Sequence, residues 1–467
     1  MEARIYISKV QIDNIRGFSG AKTVDLDFRR PGGKYSGWTV IAGRNGSGKT
    51  SLLQCMALLV AGPAAAQTLA PNHVAWGSKP REENSGSISA SFFLDAGDLE
   101  GLTLDAVPEK PGVHGRVSLS LPPPKIVSRN GKGVRLSFSS SWTQEIQSGD
   151  EEELEGEIFP TKNWFSAGYG PFRRLSSDIP EALTGAADLR DPSDAVSTAE
   201  RFSTLFHEDA ALGESVAWLV GIYLRSLEKE RGAARLLNSV LELLSDGLLP
   251  DGYEAVKVTS SGLWVRSAGQ TFPLREMSDG YRTVTALVLD IVRRLHEFYG
   301  SLRARRSKNG IALHVPGVVM IDEIDAHMHV SWQQRIGEWL TAHFPKIQFI
   351  VTTHSPYVCQ SADPGGLIRL PGFGEDIAPQ VVSEQLYRRI VYGSGDDAAL
   401  SALFGLDTPY SSEAEKLRKQ LVELEEKVFS GSASRAEVAS YKKLSENLSS
   451  SLEARVDEVS GRLGRRS

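Results

Sequence analysis

Cysteine is nearly absent: two residues, Cys55 and Cys359, stand in a chain of 467. They are far apart and belong to no paired metal-ligand spacing, so a disulfide framework and a cysteine-based zinc module are both excluded. Each thiol reads as a core or near-core group in a reducing compartment. Long hydrophobic runs are also missing. No stretch approaches the ~20 apolar residues of a membrane-spanning helix, which argues against a transporter. An excess of positive charge is lacking too, since 52 Lys and Arg face 58 Asp and Glu for a net charge of −6. A uniformly basic nucleic-acid coat is thereby excluded, but a local basic groove is not, because binding follows patches rather than totals. The chain opens on a strand-like pattern (Ile5, Ile7, Val10, Ile12) and not on a charged-then-apolar leader. A cytoplasmic location is expected.

What the chain does have is ordinary globular composition, 41% hydrophobic and 24% charged, at a length that predicts two to three lobes. Strand-like segments fill residues 4–42, ending in WTVIAG, and the apolar helix SLLQCMALLV follows. Residues 62–80, rich in Ala and Pro, read as a linker or a broken helix. Short strands are expected from 85 to 142, with RNGKG (129–133) as a hairpin tip. The acidic run Asp150–Glu155 reads as a solvated loop. NWFSAGYGPFRR (163–174) reads as a buried strand ending in a glycine turn. From 176 to 250 the apolar spacing is helical, and Tyr253–Phe272 reads as a small hairpin. A long helix then opens at TVTALVLDIVRRLHEFYG, and Gly317–Ile321, PKIQFIVTTH and GLIRL read as apolar strands. Beyond 411 two polar amphipathic helices are expected, with Ser411/Ser412 and Glu415 as an N-capping signal.

Three motifs carry the chemistry. GRNGSGKT (Gly43–Thr50) lies between a strand and a helix, the context a phosphate-binding loop requires. Its glycines let backbone N–H groups converge on phosphate at a helix N-terminus. Asn45, Gly46, Ser47, Gly48, Lys49, Thr50 and Ser51 are the candidate nucleotide contacts. Lys49 can reach the β- and γ-phosphates, and the Thr50 hydroxyl suits Mg²⁺. VVMIDE (Val318–Glu323) is an apolar strand that delivers two carboxylates at its C-terminal end. Asp322 is placed to hold Mg²⁺, directly or through water, and Glu323 to polarise the attacking water. His354 ends the next apolar strand in TTHS, where it can contact the γ-phosphate. Asp325 and His327 lie where a loop could cross to a second subunit.

The third motif, MSDGYR (Met277–Arg282), opens a helix. Ser278 and the N–H groups around Gly280 form an anion site at the positive end of the helix dipole. The phosphate loop already serves the near side of its own nucleotide. This second site therefore fits a nucleotide held by another copy.

The set resembles ABC-type ATPases of the SMC, RecF and OLD kind. The resemblance rests on IRGF (15–18), the phosphate loop, Asp-Glu followed by DAHMH, and TTHSP (352–356). It covers residues 1–60 and about 270–372 well. Within that group the chain looks like the compact OLD-like AAA-family ATPases of bacterial antiphage systems, such as Septu and retron-linked ATPases. The resemblance implies an α/β P-loop fold of the ABC type with a β-rich N-terminal lobe, a helical insertion and a helical C-terminal tail. The expected division is 1–175, 176–275, 276–375 and 376–467. It also implies ATP and Mg²⁺ as ligands and a head-to-tail ATP sandwich in a homodimer or higher oligomer, with Ser278 of one chain facing Lys49 of the other. Neither a coiled-coil arm nor a zinc hook fits the insertion, and a nuclease domain after the histidine strand is not expected. Ser394–Asp397 (SGDD) reads as a loop and not as a metal site. Gln67, or a position near Tyr169–Gly170, is the candidate glutamine loop.

The function expected is ATP hydrolysis that couples nucleic-acid or phage sensing to a separate effector, a nuclease or toxin, in antiphage defence. A RecF-like DNA-repair ATPase and a slowly turning ATP-dependent scaffold are the alternatives. Arg173/Arg174, Arg303/Arg305/Arg306/Lys308 and Arg462/Arg465/Arg466 are candidate phosphate contacts with DNA.

Overall fold

A computed structural model describes residues 5–77, 85–94, 113–121, 125–130, 133–137, 140–147, 164–171, 194–207, 214–249, 252–308, 310–406, 408 and 410–448, and the short strands at 103–104, 153–154 and 156–157. The chain divides between Phe404 and Gly405 into two compact units.

In the first unit a six-stranded sheet runs in the order Ser166–Tyr169, Gly317–Ile321, Ile347–Thr353, Gly37–Ala42, Leu367–Arg369, Gln380–Val381. The first five strands are parallel and the last is antiparallel. Gly317–Ile321 and Ile347–Thr353 are buried at every position, which is why they read as continuous apolar runs rather than alternating ones. The register aligns the strand ends: Tyr169 lies opposite Ile321, Ile321 opposite Val351, Thr353 opposite Ala42, and Ala42 opposite Arg369. Gly170, Asp322, His354, Gly43 and Leu370 therefore leave the sheet along one edge, where ligands of parallel α/β sheets bind.

A second, antiparallel sheet has the order Glu153–Leu154, Ser141–Gln147, Val113–Leu121, Gly86–Leu94, Ile5–Asp13, Val24–Asp27. The two sheets are tied by a buried side chain. Gln348 accepts from the Ile7 amide (2.9 Å) and donates to the Ile7 carbonyl (2.9 Å). The pairing of Ile5–Asp13 with Gly86–Leu94 shifts register between Ile7 and Lys9. A bulge frees backbone groups from the ladder, and here those of Ile7 satisfy an amide that would otherwise be costly to bury.

The helix Lys49–Leu69 packs between these sheets, with Leu52, Leu53, Met56, Leu59 and Val60 in a core shared with Ile7, Ile12, Phe92, Ile41 and Ile350. Contrary to the expectation that no apolar run reaches membrane-spanning length, this 21-residue helix does so by length and composition. Its most apolar window is 72% buried inside the protein, which makes it a core helix. It is broken at Gly62 (φ 80°, ψ 171°), just before Pro63, one of the two forms expected for that segment.

Elsewhere the structure corrects three readings. Tyr253–Phe272 is a three-stranded meander, Glu254–Thr259, Gly262–Ser267 and Gln270–Pro273, and not a two-stranded hairpin. It packs on the helices Glu214–Leu227 and Ala233–Ser245. The acidic run contributes a short strand, Glu153–Leu154, paired with Ser141–Gln147. Ser394–Asp397 starts a short helix with a capping box between the Ser394 and Asp397 side chains. The hairpin around 129–133 is present, Lys125–Asn130 with Gly133–Ser137. Arg173, Arg174 and Arg462–Arg466 lie outside the described residues.

Among the described residues the second unit holds two helices, Ser412–Phe429 and Arg435–Leu448. Ser411 caps the first by accepting from the Ala414 amide. Lys427 and Glu437 join them at 2.8 Å.

Candidate nucleotide site

The strand Gly37–Ala42 feeds directly into the loop Gly43–Gly48 and the helix beginning at Lys49. Gly46 (φ 75°) and Gly48 (φ 91°) occupy the left-handed region that only glycine enters freely. At Gly48 a side chain would also strike the Phe18 ring. The Ser47 hydroxyl is buried and has no hydrogen-bond partner among the described residues, an acceptor-donor group oriented within a loop built for phosphate. Lys49 is buried and its ammonium donates to the carbonyls of Gly43 (2.9 Å) and Arg44 (3.2 Å). Burial brings that ammonium down to about 8, opposed by the carboxylates of Asp322, Glu323 and Asp325. Such a buried, under-solvated cation is well suited to a polyphosphate.

Asp322 is fully buried at the end of Gly317–Ile321. Thr50 Oγ1 donates to its Oδ2 at 2.6 Å, and Thr352 Oγ1 donates to its Oδ1. A hydroxyl and a carboxylate in contact are a donor pair that would suit a Mg²⁺ completed by phosphate oxygens and water. The residues fit Mg-ATP.

Glu323 has a left-handed backbone (φ 44°), a conformation that is strained for a residue with a side chain. Thr352 holds it there from both of its groups. Its hydroxyl accepts from the Glu323 amide (2.8 Å) and its carbonyl from the Ile324 amide (3.0 Å). The Glu323 carboxylate is partly exposed, and its Oε1 lies 4.0 Å from His354 Nε2. The other ring nitrogen, Nδ1, lies 3.5 Å from Lys49 Nζ. Burial and the nearby Lys49 ammonium lower the His354 imidazole, while Asp325 and Asp322 act the other way. The ring thus sits between Lys49 and Glu323. Asp325 fixes the strand end, accepting from Thr353 Oγ1 (2.5 Å) and the His354 amide (3.3 Å).

Ser278 is the N-cap of the helix Asp279–Tyr299, is exposed, and makes no capping hydrogen bond with its hydroxyl. Gly280 packs against the main-chain carbonyl of His327 in the loop after the acidic strand. Farther along this helix, buried Asp290 meets Arg294 (2.5 Å), Arg293 (3.1 Å) and the Tyr169 hydroxyl (3.0 Å). The Tyr169 carbonyl in turn accepts from the Asp322 amide at 2.7 Å. One tyrosine therefore touches both the acidic strand and the signature helix, Asp279–Tyr299, which the third motif opens. Gln67, by contrast, is exposed and lies beyond the break at Gly62, away from the helix start that carries Lys49.

The structure brings Lys49, Thr50, Asp322, Glu323 and His354 together in one copy. It adds residues that the motifs alone did not assign. Thr352 organises both acids. Arg16, with a left-handed backbone (φ 51°), lies over the Trp76 ring at 3.6 Å and donates to Ser51 Oγ (3.2 Å) and Gln54 Oε1 (2.7 Å). The IRGF segment carries both Arg16 and Phe18, and was the available signal for them.

Residues 9–156 match a family model described as an AAA domain. Residues 153–360 match one described as "AAA domain, putative AbiEii toxin, Type IV TA system". The chain is 49% identical over 88 residues to the Retron Ec83 probable ATPase of Escherichia coli, covering 19% of this chain and 15% of that protein. It is 26% identical over 351 residues to the Septu protein PtuA of Bacillus mycoides, covering 75% of this chain and 38% of that one. The matches thus span well under half the length of these two relatives. A Septu protein PtuA of Bacillus thuringiensis is 22% identical over 380 residues, covering 80% of this chain and 77% of that protein. Among solved structures, an SMC head bound to the C-winged helix domain of ScpA matches at a TM-score of 0.45 and 17% identity, over 81% of this chain and 97% of that one.

Proposed function

We propose that this chain, a P-loop ATPase of the ABC type related to retron and Septu proteins, hydrolyses Mg-ATP between two copies paired head to tail. The observation that carries the reading is the division of the site. Lys49, Thr50, Asp322, Glu323 and His354 converge in one copy, while the exposed Ser278 hydroxyl is left over at a helix N-terminus.

In this reading Lys49 and the amides of the phosphate loop hold the β- and γ-phosphates. Thr50 and Asp322 hold Mg²⁺, which neutralises phosphate charge when bound. Glu323 takes the proton of the attacking water, and His354 stands between that base and the phosphate end. Ser278 and the Gly280 amide of the second copy close the far side. The ATP-bound pair then controls a separate effector, a nuclease or toxin, in antiphage defence. Residues 376–467, with the two polar helices at their end, offer a contact for it. Nucleic acid sensed through a basic surface is the input that the charge pattern supports. The resemblance to antiphage ATPases favours this reading over a repair ATPase, and the presence of Glu323 disfavours an inert scaffold.

The test uses Glu323→Gln and Ser278→Arg. Glu323→Gln is expected to lower turnover by about 10²-fold or more and to accumulate a dimer with ATP. Ser278→Arg is expected to abolish hydrolysis with single-chain ATP binding intact. Wild-type turnover in Glu323→Gln, or loss of ATP binding in Ser278→Arg, sinks the assignment.

A further inference from the structure

Phe373 is 98% exposed, the most exposed of the large apolar side chains described. It does not sit on a loose loop. Arg369 Nη2 donates to both Glu375 oxygens at 2.8 Å, and Glu375 Oε2 accepts from the Gly372 amide at 2.8 Å. Lys22 donates to the Gly372 carbonyl at 3.3 Å, and the Glu375 amide to the same carbonyl at 3.3 Å. These ties bracket the phenylalanine on both sides and hold its backbone while the ring stays in water.

The loop is next to the phosphate loop. Leu367–Arg369 is the parallel neighbour of Gly37–Ala42, with Arg369 opposite Ala42, and the Leu370 amide donates to the Ala42 carbonyl at 2.9 Å. Gly43 packs against the Leu370 carbonyl, and Gly372 against the Arg44 side chain. Ile377 and Val381, further along the same segment, are also exposed. These exposed apolar side chains lie on the segment that follows the strand beside the phosphate loop.

We infer that Phe373 is an anchor for a second copy of this chain in the ATP-bound pair. The inference rests on the head-to-tail reading above: whatever covers the phosphate loop also reaches its neighbour. In that reading the surface brought there is the start of the helix Asp279–Tyr299. Beside Ser278 that region carries a half-buried aromatic group, with Tyr253 6.2 Å from Phe272 and 5.3 Å from Tyr281, ring centre to ring centre. A rigidly held aromatic meeting aromatics at the centre of an interface is a common energetic hot spot.

The experiment compares Glu323→Gln with Glu323→Gln/Phe373→Glu, full-length, by sedimentation with Mg-ATP over a range of protein concentrations, alongside binding of a fluorescent ATP analogue. The second variant is expected to pair at least about tenfold more weakly with ATP binding unchanged, since an exposed ring contributes nothing to the folded monomer. Equal pairing in both overturns the inference, including the case in which only capture of a separate effector is lost. If Glu323→Gln itself stays single with ATP, the head-to-tail reading fails and the anchor role falls with it. Should Phe373→Glu impair ATP binding, Phe373→Ser removes the ring without adding charge and is read by the same two measurements.

Discussion

The α-carbon of Gly280 lies against the main-chain carbonyl of His327, so close that any side chain at 280 would collide with it. His327 itself has a left-handed backbone (φ 65°). The signature glycine and the loop behind the acidic strand are thus in contact within a single copy. A change at either one is felt by the other. Since the obstacle is backbone and not a flexible side chain, Gly280→Ala must displace the loop or the helix start. The expected cost is about 1–3 kcal/mol of stability, as for overpacking, with hydrolysis lost and ATP affinity of the single chain nearly unchanged. Urea unfolding together with turnover checks this. Wild-type turnover in Gly280→Ala would show that the contact does not bear on the reaction.

Thr352 is a second prediction. Its hydroxyl donates to Asp322 and accepts from the Glu323 amide. Thr352→Val keeps the shape and leaves both groups without that partner, for an expected loss of about 1–3 kcal/mol. Outer-shell partners of metal ligands change metal affinity by about 10–100-fold when removed. The Mg²⁺ concentration for half-maximal turnover should therefore rise at least about tenfold in Thr352→Val. Unchanged Mg²⁺ dependence would assign Thr352 to folding alone.

Asp290 gives a pH prediction. Burial alone would raise its carboxyl, but Arg294 and Arg293 at hydrogen-bonding distance hold it below the ordinary value. A carboxyl with a depressed folded value stabilises the fold fully above its unfolded value of about 4. That contribution is lost as pH falls from there through the lower folded value. Asp290→Asn leaves two buried guanidinium groups facing a neutral amide, so a loss of about 3–5 kcal/mol near neutrality is expected. The gap between wild type and Asp290→Asn should narrow as pH drops below about 4. Thermal unfolding of both proteins across that range checks it, and a gap independent of pH contradicts it.

The phosphate loop, the acidic pair and His354 were legible because each is a contiguous string at a strand end, and a strand end in a parallel sheet is already a position. Two buried ties were not. Gln348 reads as one polar residue in an apolar strand until Ile7, 341 positions away, is seen to satisfy it. Thr352 reads as a strand residue until the register sets it beside Asp322. Neither pairing leaves a periodic trace, because it depends on which strands become neighbours. The 254–273 meander was read as a two-stranded hairpin for a local reason: VKVTSSGLWV reads as one strand, and the turn at Ser260–Ser261 inside it is too short to interrupt the pattern. Gly280 was read as an anion-site glycine from its motif, and its packing against His327 had no trace there because it depends on the path of a loop.

The basic group at 303–308 gives the last prediction. The structure places it on a two-stranded hairpin, Ala304–Ser307 with Gly310–Leu313. It also sorts the cations. Arg306 is paired with Glu242 at 2.7 Å. Arg305 and Lys308 are exposed. His314 is lowered by burial and then by Arg305 and Lys346, so those two cations act on one spot. If this hairpin contacts nucleic-acid phosphates, Arg305→Glu/Lys308→Glu should weaken binding uniformly across sequences. Each lost phosphate contact should reduce the slope of log affinity against log salt by about one, hence by about two for the double variant. Arg306→Glu is the comparison, since a cation already paired with Glu242 should contribute less to that slope. Titration of labelled duplex DNA at several salt concentrations reads both. An unchanged slope in the double variant would remove the hairpin from the nucleic-acid surface, whatever the fate of ATP turnover.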